Sequence, residues 1–154
     1  MKGKQIMSTE DEIREVSKRF YTALNSMTNG DPDPLGVVWS HSGTVTAMHP
    51  TGARQVGWDD VRRSFEQVAE LASDGKVELK DQVIRVIGDV AYEVGVERGH
   101  LKLADKQVTI EHRVTNIYQR QDGVWRIIHH HTDTSPAMID VIKRLQPALA
   151  QAGK

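Results

Sequence analysis

Between Thr9 and about Met27, Ile13, Val16, Phe20 and Leu24 recur at helical spacing, which predicts a first amphipathic helix. Thr9-Glu10-Asp11-Glu12 has the Thr-x-x-Glu form of a capping box, with acids where the helix dipole favours them. Asn29-Gly30-Asp31-Pro32 stops the helix, and Asp33-Pro34 can open a short second one ending near Trp39. The period then changes to two. Val45, Ala47 and His49 alternate with Thr46 and Met48 in a strand that Pro50 ends, and Arg54-Gln55-Val56 returns as a short partner. Helical spacing resumes from Trp58 to Ser73, through Val61, Phe65, Val68 and Leu71, with Asp74-Gly75 as the expected stop. Four extended segments follow, at about 77–87, 90–103, 106–121 and 124–134, with turns at Gly88-Asp89, Ala104-Asp105 and Asp122-Gly123. A last helix starts at Pro136 and carries Met138, Ile139, Ile142 and Leu145. Pro147 should end or kink it, because proline lacks the N–H that a helix interior needs.

Helices first and an antiparallel meander last argue for an α+β fold. The expected form is a cone: a curved, mixed sheet wrapped by three helices of the N-terminal half, with a fourth helix at the C-terminal end. A cone has an open, ligand-sized mouth. At 154 residues the chain reads as one domain, with a loose tail over 1–8, the cone over 9–134, and a helix and tail over 135–154. A formal net charge of -1 gives no overall pull toward nucleic acid or anionic membrane. The absence of cysteine excludes disulfides, thiolate catalysis and cysteine-ligated metal. No apolar run has the length of a membrane span, and MKGKQIMSTEDE lacks the apolar core of a leader peptide, so a cytoplasmic address is expected. There is no phosphate loop, dinucleotide fingerprint or Gly-x-Ser-x-Gly elbow, and no cofactor is expected.

The richest chemistry lies in the last hairpin, Val108 to Asp133, which ends in His129-His130-His131. Imidazole titrates near neutrality and can donate, accept or bind metal. Simple alternation puts Trp125, Ile127, His129 and His131 on one strand face and Arg126, Ile128, His130 and Thr132 on the other. Regular pairing through the Asp122-Gly123 turn sets Tyr118 opposite Ile127, Asn116 opposite His129 and Val114 opposite His131. That face is the expected pocket wall. The other, with Arg113, Thr115 and Ile117, suits solvent or a homodimer interface through the sheet.

Several stretches then resemble a known group: RFYTALN in the first helix, GTVTAMHPTG before the third, GWDDV opening it, and QRQDGVWRIIHHH at the end. Over roughly residues 8–134 they are similar to the nuclear transport factor 2-like superfamily, with its cystatin-like fold. Within it the likeness is to SnoaL-like proteins, ketosteroid isomerase and the association domain of calmodulin-dependent protein kinase. That fold hosts isomerases, cyclases, dehydratases and non-catalytic assembly modules. Ketosteroid isomerase, a worked example of pKa tuning, has a first-helix tyrosine where this chain has Phe20, followed by Tyr21. Its base before a proline corresponds to His49, before Pro50. Its protonated aspartate falls near Thr115 or Asn116, so steroid isomerase chemistry is not implied. The kinase domain's two histidines correspond to His129 and His131.

The resemblance makes His49 the candidate proton carrier, with Asn116, His129 and His131 as donors to developing charge on a small, mostly apolar carbonyl or hydroxyl compound. The competing reading is a non-catalytic ligand sensor or oligomerisation module, with the histidines merely satisfied in a polar core. Tyr92, Arg98, Trp58, His112 and Tyr118 complete the candidate substrate-binding set. Arg98, on one face with Tyr92, Val94 and Val96, either holds an anion or is solvated. Trp58 is either core or a lid. His129 and His131 could chelate a metal with His49, but no carboxylate has obvious ligand spacing, and no metal site is assigned.

Overall fold

A computed structural model describes residues 7–152; the expected tail thus falls largely outside the described residues. The element order is α1 (Thr9–Met27), α2 (Leu35–Val38), β1 (Thr46–Met48), β2 (Arg54–Val56), α3 (Trp58–Leu71), β3 (Ala72–Ile87), β4 (Val90–Leu103), β5 (Lys106–Gln121), β6 (Val124–Thr132) and α4 (Pro136–Ala152). The six strands form one sheet in the order β2-β1-β6-β5-β4-β3. Every pairing is antiparallel except β1 with β6, so the sheet is mixed.

α1 forms where the spacing predicts it and buries Ile13, Val16, Phe20 and Leu24. Its cap is Ser8, not Thr9: the Ser8 hydroxyl accepts from the Asp11 N–H at 3.1 Å. Glu12 is therefore free for another task, and it accepts the Trp125 indole N–H at 2.9 Å, tying α1 to β6. At the other end of α1, the Asn25 side chain pairs with the Val77 backbone. It donates to Val77 O at 3.2 Å and accepts from Val77 N at 2.6 Å. These bonds hold the helix across the start of β3.

Two terminal signals behave differently from expectation. α3 ends at Leu71 and the chain enters β3 directly, so Asp74-Gly75 is not a helix stop. It lies within a register shift of β3, where Asp74 takes a positive φ of 49°. Pro147 does not end α4, which runs on to Ala152.

The curvature of the sheet comes from β3 and β4. β3 has register shifts between Ser73 and Lys76 and between Lys80 and Val83. Extra residues on one strand bend it and increase its twist. Opposite these shifts, β4 places Gly99 against Val77 and Gly95 beside Val94, the partner of Val83. A Cβ at Gly95 would lie 2.7 Å from the Lys80 carbonyl oxygen, and one at Gly99 would overlap that of Lys76. Glycine is required at both because the β3 backbone leans over the inner face of β4. The helices cover that inner face. The core runs from Ile13, Phe20 and Trp39 to Phe65, Leu101, Leu103 and Ile127.

Candidate functional site

One irregularity decides which histidines enter the interior. β5 and β6 pair Tyr118 with Ile127, but the next pair is Ile117 with His129, leaving Ile128 as an extra residue. Beyond this bulge the parity of β6 is reversed: Asn116 pairs with His130 and Val114 with Thr132. Trp125, Ile127, His130 and Thr132 are buried, whereas His129 is half-buried and His131 exposed. The expectation that His129 and His131 share a face with Trp125 and converge with His49 is thus corrected. They sit on the outer face, with ring centroids 5.7 Å apart, and His129 Nδ1 lies 2.6 Å from the Thr46 hydroxyl. His130, expected outside, is 2% exposed and 6.1 Å from the His49 ring.

His49 comes from the strand-end position that alternation predicted, inside with Val45 and Ala47. Its ring packs edge-on against Phe65 at 4.9 Å, and its Nε2 lies 2.7 Å from the Ser64 hydroxyl. Burial, reinforced by repulsion from His130, pushes its pKa down to about 3. Burial also lowers His130, to about 4, despite the opposing attraction of Glu97. Both imidazoles are therefore neutral at pH 7.

Behind them lies a hydrogen-bonded polar core. His130 Nδ1 and Asn116 Oδ1 are 2.6 Å apart. Asn116 Nδ2 donates to the Tyr21 hydroxyl at 3.1 Å and to Glu93 at 2.9 Å. Tyr21 donates to Glu97 at 2.9 Å, and His112 Nε2 meets the other Glu97 oxygen at 2.7 Å. Glu93 also accepts from Tyr118 at 2.9 Å and Gln82 at 2.6 Å. Burial opposes the charge of Glu97. The hydrogen bonds from His112 and from Tyr21 work against it, and the carboxyl stays below the usual range. Burial, with the Glu97 and Glu93 charges, pushes the Tyr21 and Tyr118 phenols well up, leaving both as neutral donors.

A cavity of about 70 Å³ opens beside this core. At roughly 10–15 Å³ per water on this measure, it has room for about five waters or a small organic molecule. Leu24, Met27, Phe65, Val77, Leu101, Leu103 and Ile110 form its apolar walls, and Met138 and Ile142 of α4 border it. His49, Glu97, His112 and His130 supply its ionisable side chains. The Ser135 N–H donates to Pro50 O at 2.8 Å, fastening the start of α4 beside the His49 strand end.

The structure thus brings together His49, Asn116, His112 and Tyr118 from the expected set. Tyr92 and Arg98 lie on the exposed outer face, because β4 turns its Glu93 and Glu97 side inward. Trp58 borders the neighbouring hollow beside α2 and stacks on His41 at 4.7 Å, so it is not a lid on this cavity. Sequence reasoning missed Glu93, Glu97, His130 and the inward role of Tyr21. Gly95 and Gly99, alternating with the two glutamates, were the available signal, since strand glycines mark a face closely approached by another backbone. Among the described residues no group of three or more His, Cys, Asp or Glu is placed to hold a metal, so the His49, His129, His131 chelate is not formed.

The SnoaL-like domain family profile matches residues 13–138, and the chain belongs to that family. Among curated proteins, none matches the sequence. Solved structures that resemble it share the nuclear transport factor 2-like fold. A superfamily protein from Salmonella enterica serovar Typhimurium has a TM-score of 0.73 at 19% identity, covering 81% of this chain and 89% of the other. A candidate dehydratase of the NTF2-like family from Streptomyces avermitilis has a TM-score of 0.70 at 22% identity, with 81% and 94% covered. The S. rosetta CaMKII hub has a TM-score of 0.68 at 19% identity, with 84% and 99% covered. At these identities the likeness shows the fold alone.

Proposed function

We propose that the cavity binds a small, mostly apolar organic molecule with one or two polar groups, and that the protein carries out cofactor-free acid–base chemistry on it. One observation carries this reading: an apolar chamber that ends in His49, Glu97, His112 and His130. Ionisable groups with displaced pKa values at the end of an apolar cavity are the usual mark of a working site. The division of labour differs from the one expected from sequence. At a pKa of about 3, His49 is too weak a base to take a proton from a substrate at neutral pH. It serves as a neutral hydrogen-bonding group. The proton carrier is His112, whose Nε2 is oriented by Glu97, a carboxylate–imidazole pairing that recurs in acid–base catalysis.

The test is proton transfer itself. Small β-hydroxy ketones incubated with the protein in D2O should exchange their α-protons, followed by NMR. His112→Gln should slow that exchange by about a hundredfold or more. Ligand binding without exchange for any member of the panel would instead support a sensor. That second reading is favoured by the low basicity of His49 and His130. The outer face of the sheet exposes Val83, Ile87 and Tyr92, and we assign it to a homodimer contact. Sedimentation velocity should show a dimer that Tyr92→Glu weakens; a larger ring would point to assembly of the hub type.

A further inference from the structure

The hydrogen bonds around the cavity fix where the histidine protons sit. Ser64 has one hydroxyl proton, and it donates that proton to Val61 O at 2.6 Å. Toward His49 Nε2, 2.7 Å away, Ser64 can therefore only accept. Neutral His49 carries its proton on Nε2, and its Nδ1 is a bare lone pair. The same accounting settles His130. Glu97 and Glu93 end the network as acceptors, so Tyr21 donates to Glu97 and must accept from Asn116 Nδ2. The second Nδ2 proton goes to Glu93. With both amide protons spent, Asn116 presents its oxygen to His130 Nδ1, which must donate. Neutral His130 therefore keeps a bare lone pair on Nε2. The opposite amide orientation would set the Asn116 oxygen 2.9 Å from Glu93, acceptor against acceptor.

From this we infer that the His49–His130 end of the cavity is an acceptor site, selecting a ligand that brings a neutral hydroxyl, an alcohol or phenol, over its carbonyl counterpart. The inference rests on the reading of the cavity as a small-molecule site, and it narrows the ligand class. Among the described residues, neither His49 Nδ1 nor His130 Nε2 has a hydrogen-bond partner, and both rings line the chamber. A hydroxyl proton satisfies such a lone pair. A carbonyl oxygen in the same place faces it with another lone pair and loses its own hydration. An amine would enter as a cation, and its charge would have to leave water for a largely apolar chamber.

Cyclohexanol and cyclohexanone differ by little except this hydrogen. Titration of the full chain, followed by backbone and histidine NMR shifts at pH 7, should show the alcohol binding about tenfold tighter or more. Equal or tighter binding of the ketone would overturn the hydroxyl preference while leaving the cavity reading intact. Binding of neither would remove both. Independently, long-range ¹H–¹⁵N spectra of the ligand-free protein should show His49 protonated on Nε2 and His130 on Nδ1. The reverse tautomer on either ring would also overturn the inference.

Discussion

Acid should destabilise this protein through His49 in a way that one substitution removes. The imidazole is neutral and buried in the fold, with its pKa pushed from 6.5 to about 3. Between those values the unfolded chain binds the proton and the folded one does not, so stability falls as pH drops through that window. The loss begins near pH 6.5 and saturates near pH 3. At pH 4.5 the group has crossed two units of the window, a loss of roughly 2–3 kcal/mol relative to pH 7.5. His130, held to about 4, adds a comparable loss of the same sign. Together they amount to about 5 kcal/mol, a large part of the roughly 5–15 kcal/mol stability of an ordinary domain. In His49→Gln the amide can still donate to Ser64 but cannot titrate. Urea unfolding at pH 7.5, 6.5, 5.5 and 4.5, read by tryptophan fluorescence, should give the variant a shallower pH dependence, with a gap of roughly 2–3 kcal/mol at pH 4.5. Parallel curves for the two proteins would refute the placement of a neutral, buried imidazole at position 49.

Tyr118→Phe removes one of the donors to the fully buried Glu93 and should cost about 1–3 kcal/mol in chemical denaturation at pH 7. Gly99→Ala should destabilise by about 2 kcal/mol or more, because its methyl meets the Lys76 carbonyl, whereas Gly43→Ala, with open space around it, should change the midpoint little. On the outer face, His129 and His131 stand two residues apart on one strand. Untagged protein should be retained on immobilised copper, and His131→Ala should release it at lower imidazole; unchanged retention would show that the pair is not the chelate.

The elements were legible because their periods are strong. Ile13, Val16, Phe20 and Leu24 could only be a helix stripe, and the Asp122-Gly123 turn, with φ of 50° and 78°, could only be a tight hairpin. The β5 wall was also legible: His112, Asn116 and Tyr118 do face inward. What failed was parity. Counting by twos from Trp125 reaches His129 and His131, and only the extra residue at Ile128 brings His130 inside. No local propensity announces such a bulge, because it is set by how β6 fits β5 and β1 together. β4 failed for a different reason. Tyr92 and Arg98, on one face with Val94 and Val96, drew the eye to that side of the strand, yet Glu93 and Glu97 on the other side are the buried ones, because five donors converge on their carboxylates: Tyr21 from α1, Gln82 from β3, and His112, Asn116 and Tyr118 from β5. Pairing of that kind is invisible to hydropathy.

The curl that β3 imposes over Gly95 and Gly99 means that the width of the chamber is written mainly in the path of the main chain. Val77, Leu101 and Leu103 ride on those two strands, so trimming any of them opens a local dent, whereas shifting the strand offset would move the whole wall. Retailoring this scaffold for a bulkier guest is therefore a matter of where residues are added to or taken from β3, with side-chain exchange as a fine adjustment.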